Sequence, residues 1–88
     1  MRLDSIRNKI DLIDNKLLQL LTKRLLLVKQ LSFVKHGNLL PIEDKSREKK
    51  ILQRLKAKAR TLNLSRDFVT KVFRQILEES KNIQKNTL

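Results

Sequence analysis

The stretch Leu20–Gln30, LLTKRLLLVKQ, sets Arg24 among leucines and a valine on what reads as a helix face built for burial. An unpaired guanidinium taken out of water is costly, so Arg24 has three fates: to reach solvent, to pair with an acidic neighbour, or to await an anionic ligand. Around it, Leu3, Ile6, Ile10, Ile13, Leu17, Leu20, Arg24, Leu27, Leu31 and Val34 recur in alternating steps of three and four, a heptad seam. The seam ends at Lys35-His36-Gly37, where the basic residues suit a C-terminal dipole and the glycine suits the left-handed position after a helix. The spacing predicts a first helix over roughly residues 4–36, about 50 Å long at 1.5 Å per residue. A compact chain of 88 residues has a radius of gyration of only about 12 Å. Such a helix overhangs its own domain, and its apolar seam needs cover from a second molecule. The simplest cover is a homodimer with the long helices antiparallel about a two-fold axis.

Outward from this helix, the single Gly and single Pro both fall in KHGNLLPIED, so little else interrupts helical structure. A second helix is expected just after Pro41, with Glu43 and Asp44 in its first turn, Ile51, Leu52 and Leu55 facing inward, and an end near Leu62-Asn63. Ser65 is a good N-cap for a third helix, with Asp67 in the first turn and Val69, Val72, Phe73, Ile76 and Leu77 packing inward. The tail KNIQKNTL is expected to fray at its end. With no strand pattern or repeat, residues 1–88 read as one all-α domain of three helices, the first very long.

Composition narrows the function. The absence of cysteine removes disulfide and thiolate chemistry, and one histidine, His36, is too few for ordinary zinc sites, so neither metal nor cofactor is expected. The opening MRLDSIRNKI has no apolar signal core and no segment approaches ~18 uncharged apolar residues, which reads as a cytoplasmic, soluble chain with no membrane partner. The net charge of +12 favours an anion: nucleic acid, anionic lipid or a small polycarboxylate. Against nucleic acid, the Lys and Arg residues are dispersed, and the aromatics Phe33, Phe68 and Phe73 offer no stacking platform.

Several polar residues share faces with the core positions. Arg24 and Lys35 are eleven residues apart, three turns with slight drift, so both reach one face about 16 Å apart along it. Asp44, Arg47, Glu48 and Ile51 follow the i, i+3, i+4, i+7 rule, and Ser80 and Gln84 extend the row begun by Val69, Phe73 and Ile76. Each group has an ordinary reading: Arg24 as a register-fixing seam residue, Lys35 and His36 as dipole partners, Arg47 and Glu48 as surface charges, Ser80 and Gln84 as solvated residues near a terminus. On three helices at once, however, such interruptions describe a pocket of cations with one glutamate, a serine and a glutamine, suited to a small di-anion bearing hydroxyl and ether oxygens.

Over nearly its whole length the chain resembles the all-helical class of chorismate mutases. The marks are an arginine in the first turns (SIRNKIDLID), an arginine in the Leu-rich middle (LLTKRLLLVKQ), a lysine before the loop (FVK), then PIEDKSREKKIL and ILEESKNIQ. The resemblance implies an intertwined homodimer of three-helix chains and a set of roles. Arg24, Arg47 and Ser80 would hold the substrate carboxylates, and Lys35 a carboxylate and the ether oxygen. Glu48 and the backbone amide of Asp44 would hold the ring hydroxyl, and Gln84 would donate to the ether oxygen. Arg7 lies about 25 Å along the helix from Arg24 and cannot serve the same site within its own chain; the resemblance implies that it enters the partner's site. Ser32 and Glu43 depart from what relatives often carry. The implied activity is an isomerase converting chorismate to prephenate in aromatic amino-acid biosynthesis, a pericyclic step needing no nucleophile or cofactor. The alternatives are an isochorismate pyruvate-lyase of the same fold and a non-catalytic basic helical dimer that binds nucleic acid.

Overall fold

The computed structural model describes residues 2–87 as three α-helices: α1 (Arg2–Gly37), α2 (Lys45–Thr61) and α3 (Arg66–Thr87). Their boundaries follow from capping. Asp44 stands just outside α2, its side chain accepting a hydrogen bond from the Arg47 amide at 2.9 Å, and Ser65 does the same for the Phe68 amide of α3 at 3.2 Å. The expected start of α2 after Pro41 is therefore corrected: Pro41–Asp44 is loop, because the Asp44 carboxylate serves the helix best as its cap. At the other end, α3 continues through Thr87, held by a buried Gln84 and a half-buried Ile83, and the fraying was expected only at the end of that tail. Leu88, the end of that tail, lies outside the described residues.

The end of α1 also differs from expectation. Gly37 is still helical and has no positive φ; the left-handed residue is Leu39, at φ 56°. Leu40 donates to the Lys35 carbonyl at 2.7 Å and Leu39 to that of His36 at 3.1 Å, the paired bonds of a Schellman turn. The turn after α2 repeats the pattern with Asn63, at φ 57°, in the left-handed position. Asparagine tolerates that conformation, whereas a leucine carries a steric cost of about 1–2 kcal/mol.

α3 lies in the middle, with α1 and α2 packed on it and not on each other. The row of α1 that meets α3 is Leu21, Leu25, Val28, Ser32 and Lys35, which is the heptad seam displaced by one residue and so turned about 100° round the helix. Val28 and Ser32 are buried there, and the side chain of Ser32 is small enough to let the two backbones approach. The remaining buried apolar residues are Ile51 and Ala59 on α2 and Val69 and Leu77 on α3. Leu52, Leu55, Phe73 and Ile76 are half-buried, and Val72, expected inward, is exposed at the edge of the α3 stripe.

The seam residues other than Arg24 remain 45–62 % exposed. The first nineteen residues of α1 project past the other helices without a buried side chain among them, giving a radius of gyration of 16.2 Å and a long axis of 56 Å. The accessible surface, 7529 Å², compares with roughly 5,400 Å² for a compact chain of this mass. Among the described residues, no helix is long and apolar enough to cross a membrane.

Leu39→Gly should raise the free energy of unfolding by about 1 kcal/mol by relieving the left-handed leucine. Gly37→Ala, whose added Cβ would meet nothing within 4 Å, should raise it by up to about 1 kcal/mol through helix propensity. Denaturant titrations at fixed protein concentration measure both, and a destabilised Gly37→Ala would contradict the helical assignment of that glycine.

Candidate active site

Between α1 and α2, floored by the second half of α3, lies a cleft of about 160 Å³. α1 contributes Arg24, Val28, Leu31 and Lys35; the loop contributes Ile42 and Asp44; α2 contributes Arg47, Glu48 and Ile51. Leu77, Ser80, Lys81 and Gln84 come from α3. All the site residues expected from the sequence line this cleft except Arg7, which is exposed on the projecting part of α1 about 25 Å along the helix from Arg24. His36 lies outside it, in the last turn of α1.

Arg24 is half-buried, its Nη1 donating to Ser80 Oγ at 2.7 Å. Ser80 in turn donates to the Ile76 carbonyl at 2.8 Å, so its hydroxyl is oriented with the lone pairs toward the guanidinium. Burial, and secondarily the like charge of Arg47, lowers the Arg24 pKa from its ordinary value, though a guanidinium stays charged throughout the usual pH range. Among the described residues, no carboxylate of this chain lies within 4 Å of Arg24, Lys35 or Arg47; the ion pairs all belong to Lys81. Arg24 is thus neither released to solvent nor neutralised by a carboxylate of the described residues.

Lys35 Nζ donates to the Ile42 carbonyl at 2.8 Å and to Gln84 Oε1 at 3.1 Å, which leaves one ammonium hydrogen. The ammonium can only donate, so it fixes the orientation of the Gln84 amide: Oε1 faces Lys35 and Nε2 donates to the Ser80 carbonyl at 3.3 Å, with its second hydrogen spare. Gln84 and Ser80 are 4 % and 6 % exposed, so both are core residues and not the solvated ones their place near a terminus would allow. Ser32 supports the floor from beneath, its hydroxyl donating to the Gln84 carbonyl at 3.4 Å.

Lys81 was not among the residues read from the sequence. Its ammonium stands 3.3 Å from Glu78, 3.4 Å from Glu48 and 3.6 Å from Glu43, joining α3, the first turn of α2 and the loop. The hydrogen bond to Glu78, then that to Glu48, raises its pKa above the ordinary lysine value against the opposing pull of desolvation. A signal existed: Lys81 is four residues after Leu77 and three before Gln84, on the row that forms the floor.

Fold and cleft together define a small all-helical protein with a site walled by cations that the carboxylates of the described residues leave unpaired. The model of the chorismate mutase type II family matches residues 6–85, and the chain belongs to that family. It is 37 % identical to a chorismate mutase of Methanocaldococcus jannaschii over 99 % of this chain and 88 % of that protein. It is 39 % identical to a bifunctional chorismate mutase/prephenate dehydratase of Buchnera aphidicola, covering 96 % of this chain but 22 % of the relative. A T-protein of Haemophilus influenzae is 40 % identical over 89 % of this chain and 21 % of its own length. A solved structure, described as a conserved hypothetical protein from Pyrococcus furiosus, superposes with a TM-score of 0.77 at 36 % identity, covering 96 % of each chain.

Replacing Arg24 with methionine should leave Ser80 still bonded to Ile76 and remove a partly desolvated charge. The expected result is a gain of about 1 kcal/mol in stability. A small dicarboxylate should raise the melting temperature of the parent protein and leave that of this variant unchanged. A destabilised Arg24→Met would show that the guanidinium is structural.

Proposed function

We propose that the chain is a chorismate mutase, rearranging chorismate to prephenate for aromatic amino-acid biosynthesis, and that it works as a homodimer whose two clefts are each completed by Arg7 of the other subunit. The observation that carries this reading is the convergence of Arg24, Lys35 and Arg47, without carboxylate partners of their own, on one cleft that also holds Ser80, Glu48 and Gln84.

The substrate carries two carboxylates, a ring hydroxyl and an ether oxygen. Arg24, steadied by Ser80, and Arg47 clamp the carboxylates, with Arg7 from across the dimer adding a further cation. Glu48 accepts the ring hydroxyl, and the Asp44 backbone amide assists. In the rearrangement the ether C–O bond breaks as a C–C bond forms, within one molecule and without proton transfer. Two effects lower the barrier. The clamp holds the flexible enolpyruvyl arm over the ring, an orientation effect. Lys35 and Gln84, through the N–H groups their internal bonds leave spare, stabilise negative charge growing on the ether oxygen.

The dimer is supported by the exposed seam and by surface in excess of a compact chain by roughly 2,000 Å² per protomer, the scale of an obligate interface. Antiparallel long helices bring the projecting start of one α1 toward the cleft of the other.

Prephenate formation by the purified protein is the primary test, and its absence would sink the reading; pyruvate released from isochorismate would point to the lyase instead. Lys35→Ala should lower kcat about 10²–10³-fold, the scale of a lost oxyanion donor. Since Gln84 donates as a neutral amide, activity should persist above pH 6. Gln84→Glu should be inactive at neutral pH, where an ionised carboxylate has no hydrogen to give, and should recover on acidification. Mixing inactive Arg7→Ala and Lys35→Ala proteins should restore one intact site per mixed dimer and part of the activity.

A further inference from the structure

Three cations and one glutamate share the walls of the cleft, and in the absence of a ligand the natural partner of Arg24 and Arg47 is Glu48. It is half-buried on the same surface, yet it forms no ion pair with either. Its carboxylate is instead engaged by Lys81, whose ammonium also holds Glu43 of the loop and Glu78 of its own helix. One ammonium thus serves three carboxylates, and it is their sole cationic partner among the described residues. With that counter-charge removed, three carboxylates would repel one another; Arg74 lies on the Glu78 side of the cluster, and Glu48, which shares the cleft with Arg24 and Arg47, would be free to turn toward them.

We infer that Lys81 is a positioning residue that holds Glu48 on its own wall, so that Glu48 does not close onto Arg24 and Arg47 and occupy the clamp meant for a di-anion. The inference rests on the proposed roles of Arg24, Arg47 and Glu48 in binding chorismate. The competition it describes is intramolecular: a carboxylate already tethered in the cleft has a high effective concentration at the arginines and acts as a built-in competitor. Lys81 also reaches the exposed Glu43, tethering the Pro41–Asp44 loop to α3, so Lys35, bonded to the Ile42 carbonyl, gains a fixed neighbour.

The test is a double-mutant cycle of Lys81→Met and Glu48→Gln, with kcat and KM for chorismate measured on the four proteins, together with a crystal structure of unliganded Lys81→Met. Lys81→Met should raise KM about tenfold, Lys81→Arg should restore it, and in the Glu48→Gln background the effect of Lys81→Met should shrink to less than about twofold, the coupling expected when one residue acts through another. An equal loss in both backgrounds would overturn the inference, since Lys81 would then act on the ligand directly or through the fold. The structure should show the Glu48 carboxylate turned onto Arg24 or Arg47. Glu48 found unmoved would overturn the inference whatever the activity, whereas a parent protein without mutase activity would instead overturn the function on which it rests.

Discussion

The structure is organised around a hydrogen bond between a cation and a neutral group: Arg24 Nη1 to Ser80 Oγ, 2.7 Å, at the crossing of α1 and α3. A carboxylate in place of Ser80 would bind the guanidinium more tightly and would also spend it. The hydroxyl fixes the position of the charge and leaves its field uncancelled. Lys35 is treated in the same way, held by the Ile42 carbonyl and the Gln84 amide oxygen, both dipoles without net charge. Such an arrangement costs stability, because desolvated charge is compensated only in part. On the proposed function a di-anion recovers that cost, and the affinity of the site comes from charge the fold leaves partly uncompensated in the ligand-free state.

Glutamates are kept away from these cations by the Lys81 network, which gathers three of them on the α2 and α3 side of the cleft. Charge is thus sorted within a few ångströms, arginines and Lys35 facing the space, carboxylates drawn to Lys81. The N-cap role of Asp44 belongs to the same sorting, since its side chain is engaged with the Arg47 amide and stays off the Arg47 guanidinium.

Most of the architecture was readable in the residues. Three helices, the length of the first, the Ser65 cap and the faces carrying Arg24, Lys35, Arg47, Glu48, Ser80 and Gln84 all follow from 3.6-residue periodicity and capping chemistry, which are local properties. Less was legible where a choice depended on distant partners. Gly37 offered the obvious left-handed position, yet α1 keeps it helical and the turn places Leu39 there instead, where the Lys35 and His36 carbonyls are satisfied and Lys35 stands over the cleft. Asp44 read as a first-turn residue, and its role as the cap of α2 depends on the chain staying extended up to that point. Lys81 looked like one more of many lysines, because its meaning lies in Glu43 and Glu48, more than thirty residues away. The two apolar rows of α1, one residue out of step, merge into a single hydrophobic run until it is known which row α3 covers.

Because α1 and α2 both lean on α3, α3 works as the caliper of the cleft: the bulk of its floor residues sets the gap between the two walls that carry Arg24, Lys35 and Arg47. The bulk that sets the gap, at Leu77, and the polar groups of the floor, Ser80 and Gln84, therefore share one helix. A change of bulk at Leu77 would widen or narrow the opening and carry the two charged walls with it.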